Sequence, residues 1–124
     1  MCAFISFWIY FIMSLTKKLN FTELMLFIKY ALMGRVTQAL KTMSDETIKY
    51  TWNDPLLSAL MPGYFSLIDE KDKALDYLDH AINMSVFNYP FFSKIDPYLD
   101  NIRGEERFKK LMERAKYEWE NFEV

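Results

Sequence analysis

The sequence predicts an all-α fold: a short stack of helix pairs closed by a C-terminal helix. Three observations predict it. Glycine and proline are scarce, with 3 and 4 in 124 residues, too few for the many tight turns of an all-β domain. Apolar residues recur at three- and four-residue steps, the helical period, through most of the chain. The pattern also returns on itself: Tyr30 matches Phe65, Gly34 matches Asp69, Ala39 matches Ala74 and Leu40 matches Leu75, each pair 35 residues apart. A period of this size marks stacked helix pairs. The length suits one small domain, and 52% hydrophobic content with 11 Phe, 8 Tyr and 3 Trp supplies ample core material.

The chain divides into an apolar opening, residues 1–19, and a helical domain, residues 20–124. Residues 2–15 carry no charge and are followed by Lys17 and Lys18. As a helix this run spans about 21 Å, short of the roughly 30 Å of a bilayer core. It has no basic start and no small-residue cleavage site, so it is a poor signal peptide. It reads as a docked helix in a cytoplasmic protein. The alternative is membrane contact through residues 2–15, an anchor that leaves residues 17–124 in the cytoplasm.

Phe21, Leu24, Met25, Ile28 and Leu32 then mark a helix to about Met33, widened by Phe27 and Ala31, and Gly34 ends it. A second helix starts near Arg35, with Val36, Ala39, Leu40 and Met43 inward; Ser44-Asp45-Glu46 is a kink or a new cap, and Ile48, Tyr50 and Trp52 suit a continued helix. Asp54-Pro55 is a helix start, an N-cap acceptor followed by a residue suited to the first turn. Pro62-Gly63 is expected to kink or break that helix. From about Lys71 to Met84 the stripe Ala74, Leu75, Leu78, Ala81, Ile82 is clean, with His80 on the outer flank. Residues 85–95 lose the period and form an aromatic loop. Asp96-Pro97 opens a short helix to about Ile102. The cap helix, 105–121, shows Phe108, Leu111, Met112, Ala115, Trp119 and Phe122 at helical spacing and a Glu106–Lys110 pair outside.

Composition closes off much chemistry. Cys2 and His80 are the single cysteine and histidine, so no disulfide framework and no cysteine or histidine metal cage can be built. Asp69, Glu70, Asp72, Asp76 and Asp79 lack the spacing and glycine of a calcium loop. There is no glycine-rich phosphate loop. His80 has Asp76 four residues earlier but no nucleophile set to serve. No enzyme activity, no cofactor and no metal are expected. Net charge is −2, which gives no reason to expect nucleic acid. It is split: six Lys/Arg against three Asp/Glu in residues 1–52, nine against fourteen in 53–124.

The order Tyr30, Gly34, Ala39, then Phe65, Ala74, Leu78, Ala81, resembles tetratricopeptide repeats. Asp69 stands at the turn glycine, Pro62 at a small helical residue, and Met43 and Glu46 depart late in the first unit. The tail, with Asn88-Tyr89-Pro90-Phe91, Asp96-Pro97-Tyr98-Leu99 and Ile102 to Phe108, resembles the end of bacterial tetratricopeptide proteins. The resemblance implies a short α-solenoid and a non-catalytic scaffold that binds a protein or peptide partner. By it, partners meet a concave face lined by Phe21, Leu24, Ile28, Ala31 and Leu32, then Leu56, Ala59, Gly63, Ser66 and Leu67. Phe87, Tyr89, Phe91 and Phe92 form a secondary aromatic patch, read first as a cover for the end of the stack together with Trp119 and Phe122. The alternative function is a regulatory or dimerising tail of a kinase- or cyclase-type signalling protein. Two repeats are few, so the apolar opening, the cap or a homo-oligomer must supply the missing burial.

Overall fold

Two helical hairpins organise the chain, and their turns close in the same way. In the computed structural model, which describes residues 21–122, the first hairpin is α1 (Phe21–Leu32) and α2 (Val36–Thr42). After α3 (Asp45–Asn53) comes the second hairpin, α4 (Pro55–Leu67) and α5 (Lys71–Asn83). A π-helical turn (Phe91–Ile95), a 3-10 turn (Pro97–Leu99) and α6 (Glu106–Asn121) complete it. Among the described residues there is no strand. The apolar opening, residues 2–15 within 1–19, lies outside the described residues.

Each hairpin turn needs one residue with positive φ. Gly34 has φ 71°, and the Arg35 amide donates to the Tyr30 carbonyl at 2.9 Å. Asp69 has φ 60°, and the Glu70 amide donates to the Phe65 carbonyl, also at 2.9 Å. These are the same helix-ending hydrogen bonds, 35 residues apart. Ser85 (φ 69°) ends α5 in the same manner, with Val86 donating to Ala81. The small residues after the turns, Ala39 and Ala74, have no exposed surface at all, so each second helix lies close against its first.

The second hairpin follows the sequence reading except at Pro62. Asp54 caps α4, its carboxylate accepting the Leu57 amide at 2.9 Å. Ala74, Leu75, Leu78, Ala81 and Ile82 are buried, joined by Tyr77. Of the kink or break expected at Pro62, the break does not occur: α4 runs through it to Leu67. Pro62 and Gly63 are buried, and packing on several sides outweighs the hydrogen bond that proline removes. Gly63 has a packing role: a Cβ there would come within 3.0 Å of Tyr98 Cβ and 3.2 Å of the Asp96 carboxylate. Its single hydrogen lets the 3-10 turn sit on α4.

The first hairpin departs more. The helix expected inward through Val36, Ala39, Leu40 and Met43 buries only Ala39 fully; Val36 and Leu40 are exposed and Met43 half-buried. Of α1, Leu24, Phe27 and Ala31 are buried, but Phe21, Met25, Leu26 and Leu32 are exposed. Met43 adopts an extended conformation and Ser44 starts α3 as its N-cap, its hydroxyl accepting the Thr47 amide. Shifting by 35 shows why. Glu46 falls where Ala81 is fully buried in the second hairpin. A continued helix would bury the Glu46 carboxylate without a partner, a cost of several kcal/mol on the order of charge burial. The chain restarts instead and leaves Glu46 exposed.

Towards the C-terminus, residues 91–95 are a π-helical turn rather than loop, and Phe92 is its buried ring. The helix expected up to Ile102 is the shorter 3-10 turn Pro97–Leu99, with Asp96 accepting the Tyr98 amide at 3.0 Å. Arg103 donates to the Phe92 and Asp96 carbonyls and pairs with Asp100, tying the two turns together. The cap helix starts at Glu106, and its first-turn ion pair is Glu106–Lys109 at 3.3 Å, not Glu106–Lys110. It docks on α5 through Phe108, Leu111, Met112 and Ala115, with Arg107–Asp76 at 2.7 Å and Arg114–Asp79 at 2.6 Å outside. Trp119 and Phe122 are exposed rather than buried in the cap, though Phe122 meets the Phe87 ring edge-on at 5.7 Å.

Candidate functional site

The restart at Ser44 opens a cleft of about 450 Å³ between α2–α3 and α5. Its position follows from local sequence. α3 is held at its N-terminus by Glu23 of α1, whose carboxylate accepts the Ser44 amide at 2.9 Å, the Ser44 hydroxyl at 2.9 Å and the Thr47 hydroxyl at 2.8 Å. These hydrogen bonds, the Ser44 amide first, hold the Glu23 carboxyl below the ordinary carboxylate range. Further along, α3 is held to α5. The Thr51 hydroxyl donates to the Ile48 carbonyl at 2.8 Å and lies 3.0 Å from the Tyr77 hydroxyl. Burial pushes the Tyr77 phenol up from its usual value, partly offset by Thr51.

A row of rings forms the floor and one wall. Phe27 meets Phe65 at 5.2 Å between ring centres, Phe65 meets Tyr77 at 5.3 Å, and Tyr77 meets Trp52 edge-on at 4.9 Å. Trp52 then stacks on His80 at 4.0 Å with the planes 9° apart. His80 is therefore half-buried against an indole, not a free surface imidazole, and its Nε2 has no hydrogen-bond partner among the described residues. The other wall is aliphatic, from Leu40, Met43 and Ile48, with Leu40 and Ile48 each 39% exposed. Asp45, Lys49, Lys73 and Asp76 sit at the rim. The arrangement suits a bulky apolar group: a concave, aromatic surface with a few polar groups around the mouth.

The residues expected on a concave face are placed differently. Leu24, Ala31 and Ala59 belong to the core and Ser66 and Gly63 are buried, so these five present no surface to a partner. Ile28 and Leu67 are half-buried. Phe21, Leu32 and Leu56 are exposed at 53%, 52% and 67%. Phe21 and Leu32 lie at opposite ends of α1, about 16 Å apart along the axis. Of the secondary patch, Phe87 joins Trp119 and Phe122 around a shallow hollow. Phe91 and Phe92 meet each other at 5.7 Å, with Phe92 buried, and Tyr89 lines a separate surface groove beside Phe108. The cleft residues Leu40, Ile48 and Trp52 were missed because the resemblance directs attention to the first helix of each unit. The available signal was Leu40 and Ile48 flanking a cap sequence at Ser44.

Among the described residues no group of three or more His, Cys, Asp or Glu could hold a metal ion. Among them, too, no helix is long and apolar enough to cross a membrane. Compared with family models, curated proteins and solved structures, the chain matches none of them.

Proposed function

We propose that this chain is a non-catalytic protein-interaction module of tetratricopeptide-like build, and that it holds a segment of a partner protein in the cleft between α2–α3 and α5. One observation carries the reading: a half-open, aromatic-floored cleft of about 450 Å³ with exposed Leu40 and Ile48 on its wall. Large apolar side chains left accessible beside buried rings are what an anchoring residue of a partner requires. The equal turns at Gly34 and Asp69 support the repeat character of the build. The resemblance-based concave face is the weaker site on this reading, because five of its residues are enclosed in the core or otherwise buried.

Site-directed photo-crosslinking in the source cells tests it. A photoreactive phenylalanine analogue at Ile48 is expected to give one discrete adduct, abolished by Trp52→Ala. Adducts from Phe21 or Leu56 but none from Ile48 would move the site to the α1–α4 side. No discrete adduct at any of the three positions sinks the interaction reading.

A further inference from the structure

The charges around the cleft differ in how far they are already satisfied, and this specifies the partner's chemistry. Four charged residues stand at its rim, Asp45, Lys49, Lys73 and Asp76. Asp76 is already paired, its carboxylate 2.7 Å from Arg107 of α6. Asp45 lies in the first turn of α3, where the free amides at the helix N-terminus interact favourably with its carboxylate. Lys49 and Lys73 form no ion pair among the described residues. The Lys73 ammonium instead sits 6.0 Å from the centre of the Phe65 ring, above the floor of the cleft. In a chain whose net charge is −2, the mouth of this apolar cleft therefore presents two lysines that have no ion-pair partner among the described residues, one on α3 and one on α5.

Resting on the interaction reading above, we infer that the cleft takes a peptide segment in which a bulky apolar residue is flanked by aspartate or glutamate. The apolar side chain enters between Ile48 and Tyr77. The carboxylates on either side meet Lys49 and Lys73. Rim charges of this kind select the partner and speed encounter more than they hold it. A basic flank would face both lysines and be rejected.

Affinity selection from a random short-peptide library on the immobilised full chain tests the inference, with the double variant Lys49→Glu/Lys73→Glu in parallel. Both lysines are exposed, so the variant is expected to fold, which its thermal melt checks. The parent should retain peptides that share an apolar residue between acidic ones. The variant should retain peptides with Lys or Arg in those places. A synthetic acidic peptide taken from the parent pool should bind the double variant about tenfold more weakly, the size expected of two exposed charge pairs. It should also weaken as salt rises. Peptides enriched in apolar residues without acidic flanks, lost on Ile48→Glu but indifferent to the lysine changes, overturn the charge inference and leave the cleft as the interaction site. Retained peptides that bind Ile48→Glu as well as the parent, or no enrichment at all, overturn the cleft reading and the inference with it.

Discussion

The two hairpins share their turn hydrogen bonds but not their second helices. α5 runs unbroken for 13 residues and buries Leu78 and Ala81 completely, whereas α2 stops after 7 and hands over to a new helix. At the positions equivalent to Leu78 and Ala81 the first hairpin has Met43 and Glu46. The comparison teaches that a helix pair can keep its turn and lose its packing through one charged residue. The space that α5 fills in the second hairpin becomes an open cleft in the first.

The sharpest way to test the comparison is to truncate the matched pair. Leu78→Ala should cost about 3 kcal/mol in urea unfolding, as for a fully buried leucine that leaves a cavity. Met43→Ala, only half-buried, should cost about 1 kcal/mol. Equal losses would mean that the first hairpin is as tightly packed as the second.

The turns come next in size. Gly34→Ala should destabilise by about 1 kcal/mol through the positive φ alone, since nothing lies within 4 Å of an added Cβ. Asp69→Gly should change stability by less than about 0.5 kcal/mol, because the relieved strain is offset by added chain entropy in the unfolded state. A larger loss at Asp69 than at Gly34 would break the equivalence of the two turns.

These turns, and the caps at Asp54 and Asp96, were legible in the sequence because each depends on residues within a few positions. So were the stripe of α5 and that of α6 as far as Ala115; Trp119 and Phe122 keep the spacing but are exposed. The continuity of α4 through Pro62 was not, because it depends on neighbours from other helices outweighing a local defect. The cleft was not legible either. Leu40, Ile48 and Trp52 look like ordinary helix-face residues until Glu46 forces the restart and turns α3 towards α5. His80 looked exposed for the same reason, since Trp52 is 28 positions away in the chain and reaches it only through that bend.

A smaller effect should come from the anchor of α3. The pKa of the Glu23 carboxyl in the folded chain lies below its unfolded value, so its contribution is full above the ordinary carboxylate range and is lost as pH falls through the lower folded value. Following the Ser44 amide proton by NMR during acid titration should give an inflection below that range. Glu23→Gln should remove the inflection and speed hydrogen exchange at Ser44 and Thr47. An inflection at the ordinary glutamate position would detach Glu23 from this role. A small change is expected at the cleft wall itself. Ile48→Ala should alter stability by no more than about 0.5–1 kcal/mol, because the side chain is 39% exposed.

The stack of Trp52 on His80 has a practical consequence in spectroscopy. The chain has three tryptophans, Trp8, Trp52 and Trp119. With the other two replaced by phenylalanine, all indole emission would come from the cleft wall. That indole lies 4.0 Å from an imidazole and 4.9 Å from a phenol ring, neighbours close enough to quench it or to pass excitation to it. Any molecule that displaces water from the cleft or shifts α3 against α5 should change both the colour and the lifetime of this emission. The protein thus carries an intrinsic fluorophore at the mouth of its own cleft, and occupancy can be followed by light without attaching a dye.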